Sequence, residues 1–146
     1  MTGKVPERVS PDEALDLLEK VLPEGRLQRI PRNPKLRDPL LALLAAGLHR
    51  RYPYGERELN DALQASLASL SDRVDHVTLR RYLVDCGFLK RDRAGTRYYQ
   101  NFPKIEAVLA DDSIPRAAEL LAEALEAARL KLAQKKRQAA ARRETG

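Results

Sequence analysis

Along most of the chain, apolar residues recur at spacings of three and four, the period of an amphipathic helix. The first such stretch follows Ser10-Pro11-Asp12-Glu13: a serine cap, a proline at the first helical position and a glutamate three residues after the serine. Ala14, Leu17, Leu18, Val21 and Leu22 then line one face until Pro23-Glu24-Gly25 stops the helix. The segment GRLQRIPRNPKLRDP, residues 25–39, contains three prolines, which rule out a continuous helix across it. Asp38 and Pro39 suit the cap and first position of the next helix, LLALLAAGLHRR, which is apolar nearly all round. Either that helix is central and covered on most sides, or it exposes a contact face. Tyr52-Pro53-Tyr54-Gly55 breaks the chain and suits a short extended segment. A helix from Glu56 to about Leu70 follows on Leu59, Ala62, Leu63 and Leu67, and Ser71-Asp72-Arg73-Val74 reads as a loop.

The pattern changes between Asp75 and Gln100. Asp75 is a good cap, and Gly87 suits the left-handed position just past a helix end, so a short helix is predicted between them. Its wheel places Leu79, Tyr82, Leu83 and Cys86 inward, and Val77, Thr78, Arg81 and Asp85 outward, with Arg80 and Val84 flanking. Residues 88–91 and 96–100 then read as two strands, joined by Asp92-Arg93-Ala94-Gly95 with the glycine that a hairpin bulge needs. A helix, a glycine stop and a basic hairpin in this order form the second half of a winged helix. The expected fold class is mainly α (α+β): a winged helix-turn-helix-like core with a small β-hairpin wing and added N- and C-terminal helices.

A short segment runs from Lys104 to Ala110, and a long helix from about Pro115. Ile114, Ala118, Leu121, Leu125, Ala128 and Leu132 alternate spacings of four and three, a heptad seam of nearly three repeats. Two of these six positions are alanine, so a two-stranded coil built on them would be weak alone. The seam either forms a homodimer, with Leu121, Leu125 and Leu132 as its contacts, or docks on its own module. The end, QAAARRETG, is expected to fray into a partly disordered basic tail. The organisation is an N-terminal helical extension over residues 1–25, a module over 26–103, and a C-terminal helix and tail over 104–146, with no 20–50-residue internal repeat.

Composition sharpens this picture in three ways. The chain has 146 residues, 33% of them charged, and tryptophan is absent, so the core is aliphatic and stacking platforms for single strands are not expected. The net charge is +6, and it belongs to the middle: residues 26–103 carry fifteen basic and eight acidic groups, or +7, whereas residues 1–25 sum to −3 and residues 104–146 to +2. A basic module concentrates polyanions. The single cysteine, Cys86, excludes an intramolecular disulfide, and two distant histidines, His49 and His76, do not supply a zinc set. The N-terminus MTGKVPERVS has no apolar core, and the longest apolar run, Pro39 to Leu48, is ten residues, about half a membrane span. A cytoplasmic protein with no membrane partner, no metal and no cofactor is the expectation.

The order of the motifs resembles a bacterial domain-of-unknown-function family whose members occur alone or fused to winged-helix transcription regulators of the ArsR type. The matching residues are Pro31-Arg32-Asn33-Pro34-Lys35, Tyr54 with Glu56-Arg57-Glu58-Leu59-Asn60, Asp75 with Thr78-Leu79-Arg80-Arg81, Leu83-Val84-Asp85, Gly87, Leu89-Lys90-Arg91, and Gly95 with Tyr98. The likeness covers about residues 27–100, half of the chain. Against the family pattern, Ala65 to Val74 looks like an insertion between the second and third helices. The resemblance implies a winged-helix-like fold and regulatory company; it implies no biochemical activity.

The candidate nucleic-acid-binding residues are Thr78, Arg80 and Arg81 on the helix and Lys90, Arg91, Arg93 and Arg97 on the wing, with double-stranded DNA as the expected partner. Thr78 and Arg81 would approach base edges while the wing reaches phosphates. Other readings stay open: Arg81 pairing with Asp85 four residues on, Arg80 pairing internally with Glu56 or Glu58, and an ordinary charged hairpin. Outward Val77 and Val84 would suit a protein partner, which makes a protein-interaction module the alternative function. Glu56 and Glu58 fall in the first turn of a helix, where carboxylates favour the positive end of the dipole, so they are read as structural. No nucleophile elbow or phosphate-binding glycine loop is present, and no enzyme is expected.

Overall fold

The computed structural model describes residues 7–145; the first six residues of the MTGKVPERVS stretch, and Gly146, lie outside the described residues. Helix α1 spans Pro11–Val21, and its capping box is complete: the Ser10 hydroxyl accepts from the Glu13 N–H at 3.2 Å while the Glu13 carboxylate accepts from the Ser10 N–H. A single 3-10 turn, Pro23–Gly25, follows, with Glu24 and Gly25 both at positive φ.

Helix α2, Pro34–Ala46, starts earlier than the proline pattern predicts. Asn33 is its cap and accepts from the Lys35 N–H at 3.1 Å; Asp38 and Pro39 lie inside the helix. The sequence holds two cap–proline pairs five residues apart, Asn33-Pro34 and Asp38-Pro39, and the helix begins at the first one. Pro39 is close enough to the N-terminus that its missing donor forfeits one hydrogen bond, to the Lys35 carbonyl, without breaking the helix. Asp38 instead accepts from Arg37 Nε at 3.0 Å.

Helix α3 is Glu56–Leu67 and helix α4 is His76–Asp85, capped by Asp75 through the Thr78 N–H at 2.8 Å. Strands β1, Leu89–Arg91, and β2, Tyr98–Gln100, pair antiparallel, with Leu89 opposite Gln100 and Arg91 opposite Tyr98. Tyr54 adds a one-residue bridge on the other side of Tyr98, through bonds of 2.9 Å in both directions. Helix α5 is Phe102–Val108 and helix α6 is Ala117–Thr145. The fold is mainly helical α+β with a two-stranded hairpin wing.

Residues Leu40 to Ala45 of α2 are all buried, which makes it the central helix, with α1, α4, α5 and α6 packed around it. Its all-round apolarity is thus a core signature and not a contact face. Helix α4 lies on α3, and α6 lies on α1, the 3-10 turn and α2.

The α6 seam differs from the heptad expectation. Ala117, Leu120, Ala124 and Leu125 are buried, and Leu121 is partly buried against the same core, whereas Ala118 is exposed. Leu120 lies outside the expected seam and is fully buried all the same. Leu125, expected in a dimer contact, therefore packs on its own module, and the partly buried Leu121 and Leu132 lie on that same side. Beyond Ala133 every side chain whose burial is described is exposed, yet the helix continues to Thr145. The partly disordered tail expected from Gln138 is helical instead, since Ala, Lys, Arg and Gln are strong helix formers and cations suit a helix C-terminus.

The segment before α1 is joined to the segment between α5 and α6. Val9 pairs parallel with Leu109, Ser113 Oγ donates to the Val9 carbonyl at 2.8 Å, and Arg8 reaches the Leu109 carbonyl at 2.8 Å and Asp111 at 2.5 Å. The Ala65–Val74 segment is also anchored. Leu67, Leu70 and Val74 are buried, the Leu27 N–H donates to the Leu70 carbonyl at 2.8 Å, Ser71 Oγ donates to the Leu27 carbonyl at 2.5 Å, and Arg26 pairs with Asp72 at 2.7 Å.

Candidate nucleic-acid interface

Helix α4 is held by its apolar face and by two polar ties to α3. Leu79 and Leu83 are fully buried. Arg80 donates to Asn60 Oδ1 at 2.7 Å and pairs with Glu56 at 3.3 Å, with only 17% of its side chain exposed. Its guanidinium therefore clamps α4 to α3, the internal role that stood open beside nucleic-acid contact, and two acceptors on α3 engage it. Glu56, not Glu58, is its acidic partner. At the start of α4, Gln64 and His76 are 3.1 Å apart. No local signal marked Asn60 as the acceptor, since Arg80 lies 20 residues away in sequence.

The outward face of α4 carries Val77, Thr78, Arg81 and Asp85, all exposed. Among the described residues no ion pair joins Arg81 to Asp85. Val77 is 41% exposed, but Val84 packs partly against the core, so one apolar residue and not two faces outward here. The Asp75 carboxyl is held below its ordinary range by the Thr78 N–H and hydroxyl that it caps. Burial pushes the Cys86 thiol up, against the opposing charge of Arg37.

The wing is anchored at its base and open at its tip. Leu89 and Tyr98 are buried, while Lys90, Arg91, Arg93 and Arg97 are exposed. Asp92 closes the turn by accepting from the Thr96 N–H at 2.8 Å and the Thr96 hydroxyl at 3.0 Å, and Gly95 supplies φ +71°. Arg91 lies 5.2 Å over the Tyr98 ring. Arg97 leans over Gly55, so close that a Cβ at that glycine would meet its guanidinium at 2.8 Å. The Tyr52 hydroxyl, the Gly55 N–H and the Arg97 charge together hold Glu58 below the usual carboxylate range, the tyrosine contributing most. Arg97 thus lies beside the start of α3, and Lys90, Arg91, Arg93 and Arg97 alike have no ion-pair partner among the described residues.

Two residues that sequence reasoning missed set the orientation of the wing. Gln100 Nε2 donates to the Ala45 and Leu48 carbonyls, both at 2.9 Å, and so satisfies the C-terminal end of α2. Asn101 Nδ2 donates to the Gly87 carbonyl at 2.6 Å and ties the exit of β2 to the end of α4. Nothing local to Gln100 or Asn101 announces these bonds.

The arrangement presents a short helix with one open arginine, Arg81, beside a hairpin with open cations at Lys90 and Arg93. Such groups bind phosphate oxygens by charge-assisted hydrogen bonds. Among the described residues no group of three His, Cys, Asp or Glu side chains could hold a metal ion, and no helix is long and apolar enough to cross a membrane.

A family model described as an uncharacterized protein conserved in bacteria (DUF2087) matches residues 26–100, from the residue after the 3-10 turn to the end of β2. Neither a curated protein nor a solved structure matches the chain.

Proposed function

The chain belongs to this family of uncharacterised bacterial proteins, and from that premise we propose that it is a non-enzymatic module that binds duplex DNA in a regulatory role. The wing is the principal contact: Lys90 and Arg93 meet phosphates, with Arg91 and Arg97 as secondary contacts, while α4 brings Arg81 and Thr78 to a groove. The observation that carries the reading is the difference in partners. Arg80 is engaged by Asn60 and Glu56, whereas the exposed Arg81, Lys90 and Arg93 have no ion-pair partner among the described residues. Unpaired cations on a rigid base suit a polyanion.

The test is duplex DNA binding measured across a salt series. Binding should weaken steeply with salt, and Arg93→Ala and Arg81→Ala should each lower affinity and flatten the salt dependence. Undetectable binding at low salt, or unchanged binding by both variants, overturns the proposal. The alternative, a protein-interaction module, is supported by exposed Val77 at one end of the outward face of α4 and Asp85 at the other, since an open apolar residue and a carboxylate suit a protein surface better than phosphate. A module that fails the DNA test while losing a protein partner on Val77→Asp would be of that kind.

A further inference from the structure

The first half of α6 lies on the body, and the face it leaves open carries an ordered charge code. Ala117, Leu120, Ala124 and Leu125 point inward. Arg116, Glu123, Leu130, Arg137 and Glu144, each seven residues after the last, are all exposed. Arg116 immediately precedes the helix and pairs locally with Glu119 at 3.3 Å. Leu130, at 53% exposed, is the most open of the large apolar side chains among the described residues. The stripe thus reads basic, acidic, apolar, basic, acidic.

We propose that this outer face of α6 pairs with the same face of a second copy of the chain, antiparallel, about a twofold axis through Leu130. In that arrangement Leu130 meets Leu130 of the second copy, and residues equidistant from it face each other. Glu123 lies opposite Arg137 of the second copy, and Arg116 opposite Glu144 of the second copy. The small side chains Ala127 and Ala133 oppose each other and let the helices approach closely. A twofold interface is self-complementary, so each opposite-charge pair occurs twice. A parallel pairing would instead set Glu123 against Glu123 and Arg137 against Arg137, and charges flanking a helix seam select orientation in this way. A strict seven-residue repeat drifts about 20° per repeat on a straight helix, a drift that a gentle left-handed supercoil absorbs. The inner seam cannot serve this purpose, since Leu125 is already buried against the module. This pairing does not depend on whether the chain binds DNA.

Sedimentation of the full chain should give a dimer mass at micromolar concentration. Leu130→Asp should give a monomer with unchanged helical content, because the side chain is exposed within the protomer. Glu123→Arg should weaken association by about tenfold, two weak attractions having become repulsions, and the double change Glu123→Arg, Arg137→Glu should restore it. Orientation is read by cross-linking in a Cys86→Ser background. Chains carrying Glu123→Cys should form a disulfide with chains carrying Arg137→Cys and not with themselves, since the two 123 positions would lie roughly 21 Å apart along the axis. A monomeric wild-type mass, a charge swap that fails to restore association, or self-linking of Glu123→Cys each overturns the proposal.

Discussion

Helix α4 and the wing are neighbours in sequence and both rich in arginine, yet they use it differently. On α4, Arg80 is bound to Asn60 and Glu56 and holds two helices together. On the wing, Lys90 and Arg93 stand open while Leu89 and Tyr98 anchor the strands beneath them. The same residue type is a structural part at one site and a binding candidate at the other. What separates them is whether an acceptor lies within reach inside the fold. Burial of a guanidinium is favourable only when its donors are met, and α3 meets them for Arg80 alone.

The sharpest way to break this contrast is to remove the packing under α4. Leu83→Ala should destabilise the protein by about 2–5 kcal/mol, measured by urea unfolding, because Leu83 is fully buried. Arg80→Ala should cost roughly 2 kcal/mol, leaving the Asn60 amide oxygen without its donor, and should lower DNA affinity only through loss of fold; an affinity loss at unchanged stability would place Arg80 in the interface after all. At the junction between the two regions, Gly87 sits at φ +86° with open space where a Cβ would go. Gly87→Ala should therefore cost about 1 kcal/mol from backbone strain alone, with binding by the folded fraction unchanged.

A smaller effect comes from the α4 cap. The folded-state carboxyl of Asp75 is depressed below its ordinary 3.8. Its contribution is thus present above that value and is lost as pH falls through the lower folded-state value. Asp75→Asn keeps the cap without the charge, so the stability difference between wild type and variant should narrow as the pH drops below 3.8. The smallest effect on stability belongs to the wing: Arg93→Ala should change it by less than about 0.5 kcal/mol, while reducing the salt slope of DNA binding by about one. If Arg93→Ala destabilised the fold as much as Arg80→Ala, the contrast between the two regions would disappear.

Helix α6 repeats the lesson in another form. Its inner seam was legible as a heptad, but the heptad did not say what it faced. Leu125 turned out to meet the chain's own core, and Leu120, outside the pattern, is buried with it. Contacts far apart in sequence follow the same rule, since Val9 pairs with Leu109 and accepts from Ser113, 104 residues away.

The sequence alone determined the type of most elements, though α5 was read only as a short segment and α2 starts five residues before its expected first position. Ser10 with Glu13, Asp75 with Thr78, Gly87 and Gly95 act through bonds and dihedral preferences that span no more than four residues, so their effect is the same in nearly any surroundings. Where two such signals competed, as at Asn33-Pro34 and Asp38-Pro39, local rules allowed either start and the folded helix chose the first. Tertiary structure decided the rest: that Arg80 meets Asn60, that Gln100 closes the end of α2 some 55 residues away, and that α6 turns Leu125 in and Leu130 out. Those outcomes depend on which groups packing brings within hydrogen-bond distance. That distance is a property of the assembled core and is not written in any window of adjacent residues.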